Sequence, residues 1–136
     1  MSDHLNPERR SLNMAAVKSK NTAPEMQVRK MVHAMGYRYR LHDPRLPGKP
    51  DLVFSSLRKV LFVHGCFWHS HNGCKRATIP KTHAAFWKPK LLGNAARDQC
   101  NRSQLKTMGW RVLTIWQCEL KNTRKLAEKI DAFLAN

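Results

Sequence analysis

The sequence predicts a single α/β domain in which helices flank a mixed central sheet. Two stretches carry apolar residues at the spacing of one helix face, and several short apolar runs have the length and composition of strands. The predicted order is helix, three strands, loop, long helix, strand, helix, which is typical of a sheet covered by helices. The 136 residues suffice for one domain with a real core and are too few for two.

The first helix is predicted from its end signals. Thr22 suits the N-cap, Pro24 is tolerated in the first turn, and Glu25 completes a capping box. Gly36 is expected to end the helix as a C′ glycine. Before it, residues 1–21 are polar and basic, so we expect an N-terminal arm ahead of a folded domain at 22–136. The arm either orders on a nucleic acid or is a frayed terminus.

The remaining elements follow from apolar runs and turn signals. The run at 59–63 is almost wholly apolar, which predicts a central strand. A helical region at about 82–108 is expected to break or kink near Pro89, and Thr123 is expected to cap the last helix. The other predicted strands are Tyr37 to Leu41, Asp51 to Phe54 and Trp110 to Trp116.

The charge of the chain predicts a polyanionic partner. Lys and Arg total 25 against 9 Asp and Glu, giving a formal net charge of +16, while 42% of residues are apolar. A folded domain with a basic face fits these numbers, and DNA, RNA or acidic membranes are its candidate partners. No stretch approaches the roughly 20 apolar residues of a membrane span. The N-terminus also lacks the apolar core of a signal peptide, so we expect the protein to be in the reducing cytoplasm.

A cluster of cysteines and histidines predicts a metal site. Residues 66–74 contain two Cys and two His, whose thiolate and imidazole groups suit Zn²⁺ in a closed, structural site. We expect the ligands to be Cys66, His71, Cys74 and Cys118, which leaves His69 free. Cys100 is the rival fourth ligand, but its position within a helix favours a small buried side chain. The alternative for the whole cluster is a loop of residues without a ligand.

Three carboxylates are candidates for chemistry, each with a plainer alternative. Asp51 follows Pro50 at the head of a strand and could hold a metal, or merely cap a turn. Asp98 lies on the inward stripe of its helix and either reaches a polar site or pairs with Arg102. Glu25 has the capping box as its alternative.

Seven sequence blocks, in order over roughly residues 9 to 120, carry a family resemblance. They are Arg10-Ser11-Leu12-Asn13-Met14, Thr22-Ala23-x-Glu25, Leu46-Pro47-Gly48-Lys49-Pro50-Asp51, Phe62-Val63-His64-Gly65-Cys66-Phe67-Trp68-His69, Phe86-Trp87, Asn94-x-x-Arg97-Asp98, and Gly109-Trp110-Arg111-Val112-Leu113 with Trp116-x-Cys118. The chain thereby resembles the very short patch repair (Vsr) endonucleases, and the His-Gly-Cys-Phe-Trp-His block is highly specific.

The resemblance implies a restriction-endonuclease-like, PD-(D/E)XK-type core with one structural zinc. It also implies Mg²⁺-dependent nicking of double-stranded DNA, 5′ of the thymine in T:G mismatches, to start repair of deaminated 5-methylcytosine. A 5-methylcytosine DNA methyltransferase and a repair polymerase are the implied functional partners. We expect a monomer that has no membrane partner and that is found in the cytoplasm, associated with the bacterial nucleoid.

The resemblance also implies residue roles. Asp51 would bridge two catalytic Mg²⁺ ions with the backbone carbonyl of Val63, while Phe62-Val63-His64 stands where related nucleases have acid-x-Lys. His69 would be the general base, oriented by Asp98. Glu25 and His64 would hold metal-bound waters.

The resemblance implies DNA contacts for the cysteine-containing loop and for the N-terminal arm. Phe67 and Trp68 would wedge into the duplex beside the mismatch, where unstacking costs least; the alternative is that the rings pack the loop. Met14 would be a second wedge. The residues expected to clamp phosphates are Arg9, Arg10, Lys18 and Lys20.

Two rival functions fit the same features. One is a related nuclease that cuts unmismatched or damaged DNA. The other is a non-catalytic, zinc-containing DNA-binding protein. Asp51, His69 and Asp98 argue against it, because pure binding has no use for acids that face a polyanion.

Overall fold

The computed structural model describes residues 21–136 and has the predicted order of elements. Its helices and strands are α1 (Ala23–Ala34), β1 (Arg40–Leu41), β2 (Leu52–Phe54), β3 (Lys59–His64), α2 (Ala84–Thr107), β4 (Arg111–Trp116) and α3 (Thr123–Ala135). Short 3-10 turns at Ser55–Leu57, Lys75–Ala77 and Gln117–Lys121 complete the path. The predicted arm residues Arg9, Arg10, Met14, Lys18 and Lys20 lie outside the described residues.

The four strands form one mixed sheet in the order β1-β2-β3-β4. β1 and β2 pair antiparallel, as do β2 and β3, whereas β3 and β4 are parallel from Lys59↔Arg111 to His64↔Trp116. The prediction that residues 59–63 form a central strand is therefore confirmed. Since β3 and β4 run in parallel, their carboxyl ends bring His64 and Trp116 to the same edge of the sheet.

Helices cover both faces of the sheet, as predicted. α1 and α3 contribute to a core on one face, and α2 contributes to a smaller core on the other. The first core contains Val28, Val32, Leu52, Phe54, Leu61, Ile115, Leu126, Ile130 and Leu134, and the second contains Val53, Val60, Phe62, Leu105 and Trp110. Burial of these apolar side chains packs the helices against the sheet and stabilises the fold.

Three local predictions differ from the structure. The strand predicted at Tyr37 to Leu41 shortens to two residues; Tyr39 instead packs on Phe54 and donates its hydroxyl to the Arg29 carbonyl at 3.2 Å. Pro89 lies in the second turn of α2, where it removes one hydrogen bond close to the helix start, and the 24-residue helix continues past it without the predicted break.

The N-cap of α3 is Asn122, whose side chain accepts from the Lys125 amide at 3.1 Å, so Thr123 is the first helical residue rather than the cap. Across the described residues, no helix has the length and apolar character needed to cross a membrane.

Candidate active site and metal centre

The candidate active site is a cavity of about 470 Å³ at the carboxyl end of β3. Polar and titratable side chains from four separate stretches of the chain converge on it. Its lining residues are His42, Pro44, Gly48, Lys49, Asp51, Phe62, Val63, His64, His69 and Asp98.

Asp51 lies immediately before β2 and is tied to the central strand. Its Oδ2 accepts the backbone N–H of Val63 at 2.7 Å, which fixes the carboxylate at the cavity wall. Burial raises the pKa of Asp51 to about 7; the Val63 N–H opposes this rise and the neighbouring Glu25 carboxylate adds to it. Two adjacent buried carboxylates are an unfavourable arrangement that a divalent cation would neutralise.

Glu25 serves both the helix cap and the site. Its backbone N–H donates to Thr22 Oγ1 at 3.2 Å, and its Oε1 accepts from the Asn21 amide at 2.9 Å, so the carboxylate reaches back one residue beyond the predicted cap. Its Oε2 lies 2.7 Å from Nε2 of His42, a residue that lines the cavity, and 3.4 Å from Arg29. The side chain is 1% exposed. Capping and a site role are therefore compatible.

His42 is a site residue that the sequence analysis missed. Its Nε2 lies 2.7 Å from Glu25 Oε2 and 3.8 Å from Asp51 Oδ1. Its φ of +47° is in the left-handed region, and its amide donates to the Asp51 carbonyl at 3.2 Å. A single histidine in a turn-rich loop gave no signal, since its partners Glu25 and Asp51 are distant in sequence.

His69 and Asp98 form a close pair. His69 Nδ1 lies 2.5 Å from Asp98 Oδ2, and the two side chains are 28% and 15% exposed. Asp98 projects from the inward face of α2, as the stripe predicted, and its ion-pair partner is His69 rather than Arg102. With Nδ1–H donated to the carboxylate, Nε2 carries the lone pair and is available to accept a proton.

His64 stacks on His69, with ring centroids 3.8 Å apart and planes within 6°. Burial, together with the positive charge that His69 can carry, lowers the pKa of His64 to about 3. Within the described chain its buried Nδ1 has no hydrogen-bond partner, and it lies 4.0 Å from Asp98 Oδ2. His64 is thus a neutral ring beneath the His69–Asp98 pair.

The predicted zinc ligands converge at a second cluster. One donor atom each from Cys66, His71, Cys74 and Cys118 lies within 4.8 Å of every other. Cys118 Sγ is 3.5 Å from His71 Nδ1, close to the edge of about 3.6 Å that tetrahedral Zn–S and Zn–N bonds would give. The donor set fits zinc, and the cluster could hold it. Cys100 lies elsewhere on α2 and is exposed, so its expected burial is wrong.

The cysteine loop links this cluster to the cavity. His69 and His71 donate their amides to the carbonyls of Gly65 and Cys66, at 3.2 Å and 2.9 Å. The His71 ring stacks on Trp116 at 4.1 Å, and Trp116 meets His64 edge-on at 5.4 Å. A metal at the cluster would therefore hold the loop that carries His69.

The aromatic residues of the loop form a partly exposed cluster with the start of α2. Phe67 and Trp68 each contact Trp87 edge-on, at centroid distances of 5.3 Å and 5.7 Å, and each other at 5.3 Å. Asn94 Nδ2 donates to the Trp68 carbonyl at 3.0 Å. Trp87 belongs to the Phe86-Trp87 block of the family resemblance, and the structure makes it the support of both loop rings. Packing of the loop and contact with DNA are both compatible with this cluster.

Comparison with solved structures defines the class of fold. The chain is similar to the catalytic domain of the homing endonuclease I-Bth0305I, with a TM-score of 0.59, 24% identity, and coverage of 83% of this chain and 94% of that one. The mixed sheet and its flanking helices accordingly define a restriction-endonuclease-like fold.

Comparison with sequences defines the family. The family model for the DNA mismatch endonuclease Vsr matches residues 2–76, more than half of the chain. Type II nicking enzyme V.XorIIP of Xanthomonas oryzae pv. oryzae is 52% identical, over 96% of this chain and 95% of that protein. DNA mismatch endonuclease Vsr of Escherichia coli is 39% identical, over 95% and 82%. The chain belongs to the Vsr family and is a DNA endonuclease.

Proposed function

We propose that this endonuclease nicks duplex DNA on the 5′ side of the thymine in a T:G mismatch, and so starts very short patch repair of deaminated 5-methylcytosine. The observation that carries the proposal is that Asp51 and the His69–Asp98 pair open on one cavity. The loop that holds His69 also presents Phe67 and Trp68. Related enzymes that bear the name of nicking enzymes support a single-strand cut.

The proposed recognition of the DNA duplex depends on positive charge and on aromatic side chains. The net charge of +16 favours binding to the phosphate backbone, and Lys49 places one cation at the cavity itself. Phe67 and Trp68, supported by Trp87, are proposed to wedge into the duplex. Inserting a ring costs a few kcal/mol of unstacking, and least at a weakened pair, so a T:G wobble would be favoured over T:A.

The carboxylates fit a divalent cation. Asp51 and the backbone carbonyl of Val63 offer the oxygen donors that Mg²⁺ prefers. When bound there, as two ions in our proposal, Mg²⁺ would neutralise charge on the phosphate and the leaving oxygen. Glu25 and His64 are proposed to hold metal-bound waters.

The protein's own residues move the proton. His69 Nε2 is proposed to take it from the attacking water, while Asp98 holds the ring through Nδ1 and stabilises its charged form. His64 fixes the ring plane by stacking and, being buried and neutral, adds no competing positive charge. The zinc at Cys66, His71, Cys74 and Cys118 is proposed to be structural.

The remaining parts of the proposal concern partners. The N-terminal arm would clamp phosphates through Arg9, Arg10, Lys18 and Lys20, with Met14 as a second wedge. A monomer would suffice for a single-strand cut, and a 5-methylcytosine methyltransferase would create the sites that need repair.

The test is nicking of matched duplexes that carry T:G, T:A and other pairs at one position, with Mg²⁺ and with the cut mapped at nucleotide resolution. We expect T:G to be cut preferentially, 5′ of the thymine. D51A and H69A should abolish cutting while DNA binding survives, and H33A, on the exposed side of α1, should cut normally. Equal cutting of T:A would favour the unmismatched-DNA rival, and absence of any cutting would favour the binding-protein rival.

A further inference from the structure

Among the described residues that line the cavity, His42 is the titratable side chain to which neither the family resemblance nor the proposed mechanism gives a role. It sits between the two carboxylates, with Nε2 at 2.7 Å from Glu25 Oε2 and 3.8 Å from Asp51 Oδ1. Its side chain is 19% exposed, and Glu25 beneath it is 1% exposed. The imidazole therefore lies next to both carboxylates at the wall of the cavity.

The spacing of these atoms suits ligands of one ion. A donor atom from each of Glu25, His42 and Asp51 lies within 4.8 Å of the other two. Neighbouring ligands at right angles around an ion with bonds of about 2.1 Å are about 3 Å apart. The distance from His42 Nε2 to Glu25 Oε2 is close to this value, so small side-chain shifts would admit a cation.

We propose that His42 and Glu25 join Asp51 as direct ligands of the cation, so that Glu25 binds the ion itself rather than through a water. This makes the site a mixed imidazole–carboxylate site that favours Mn²⁺ over Mg²⁺. The inference rests on the proposed function, since it concerns the same cation site.

The chemistry of the donors gives the reason for the preference. Mg²⁺ takes oxygen ligands almost alone, whereas imidazole suits transition ions and raises their affinity relative to Mg²⁺. Nε2 must be unprotonated to bind the ion: a doubly protonated ring releases the Nε2 proton to solvent, and a neutral ring binds as the tautomer with its proton on Nδ1. Nε2 and Glu25 Oε2 then face the cation, and the two buried carboxylates are neutralised.

The position of His42 also argues against a purely structural role. A hydrogen bond that only fixed Glu25 would need no approach to Asp51, and Glu25 is already held by the Asn21 amide. The backbone of His42 bonds to the Asp51 carbonyl while adopting a positive φ. The side chain is thereby directed at the cavity wall that Asp51 occupies.

The test is pulsed electron paramagnetic resonance of Mn²⁺ bound to the zinc-loaded full chain. Coupling of the Mn²⁺ spin to a directly bound nitrogen is the readout, and it does not depend on nicking. We expect this coupling in the wild type and in H33Q, a matched histidine variant on the exposed side of α1. It should be absent in H42Q and H42N, with Mn²⁺ affinity lowered at least about tenfold. D51N should lose the ion.

Each other outcome overturns the inference in a distinguishable way. Coupling that persists in H42Q would assign the nitrogen to His64 or His69. A bound ion that D51N loses, but that shows no nitrogen coupling in the wild type, would overturn the role of His42 and leave the proposed function standing. Absence of a bound ion would overturn the inference, and the nicking assay would then decide the proposed function separately. Zinc content and thermal melting verify that each variant is folded.

Discussion

His64 and His69 stack as parallel rings with centroids 3.8 Å apart, one buried and the other open to the cavity. The pair places a ring that stays neutral directly against the proposed base. The arrangement requires that His64 not be protonated, because a second positive charge there would oppose protonation of its neighbour.

We expect stability to depend on pH through His64. Its pKa is lowered from 6.5 to about 3 in the folded protein, so between these values the unfolded chain binds more protons and stability falls as the pH falls. At pH 5 the contribution of His64 lowers the free energy of unfolding by about 2 kcal/mol relative to a pH well above 6.5. The raised pKa of Asp51 gives the opposite slope in both proteins, so the readout is the difference in free energy of unfolding between wild type and H64Q. In denaturant titrations from pH 4 to 7 this difference should shift against the wild type as the pH falls. Parallel curves would contradict the assignment.

D98N is expected to lower the nicking rate about a hundredfold or more, because the amide cannot stabilise a charged His69. Binding of a T:G duplex should be unchanged. Single-turnover nicking and a binding titration measure the two effects. D131N on the exposed side of α3 is the matched control; an equal loss there would show that the change in net charge is responsible.

C118S is expected to lose most of the zinc, from about one ion per chain, and to melt several degrees lower because metal binding stabilises the fold. C100S replaces an exposed cysteine outside the cluster and should keep both properties. Elemental analysis and thermal melting provide the measurements. Zinc retained in C118S and lost in C100S would reverse the ligand assignment.

W68A is expected to reduce the preference for T:G over T:A duplexes by about tenfold or more, since it removes a ring whose insertion depends on weak pairing. The ratio of nicking rates on the two duplexes is the measurement. L92A, an exposed apolar residue of α2, is the control. If Trp68 only packs the loop, W68A will lower the melting temperature while the ratio stays the same.

Much of the fold was predictable because its signals are local. The cap at Thr22, the glycine at 36 and the apolar run at 59–63 each act over a few residues, and the structure has the corresponding elements. The cap of α3 was placed one residue late because Asn122 and Thr123 are both good caps. β1 was overestimated because Tyr37 and Tyr39 alternate as in a strand but pack onto Phe54 from a loop.

The candidate site was predictable where side chains fell into a motif or on a helix face. Asp98 was found because its stripe on α2 turns inward, and His69 and His71 because they share a short loop with cysteines. His42 was not found because its partners are supplied by α1 and by the start of β2. Such long-range juxtapositions leave no periodic trace in the sequence.

The loop from Cys66 to Cys74 carries proposed zinc ligands, aromatic rings and the proposed base within nine residues. If a metal ion holds that loop in place, the proposed recognition of the mismatch and the proposed hydrolysis of the backbone both depend on the same ion. Under zinc deprivation the enzyme would then lose both activities together. It would not persist as a form that still cuts DNA but no longer prefers mismatched sites.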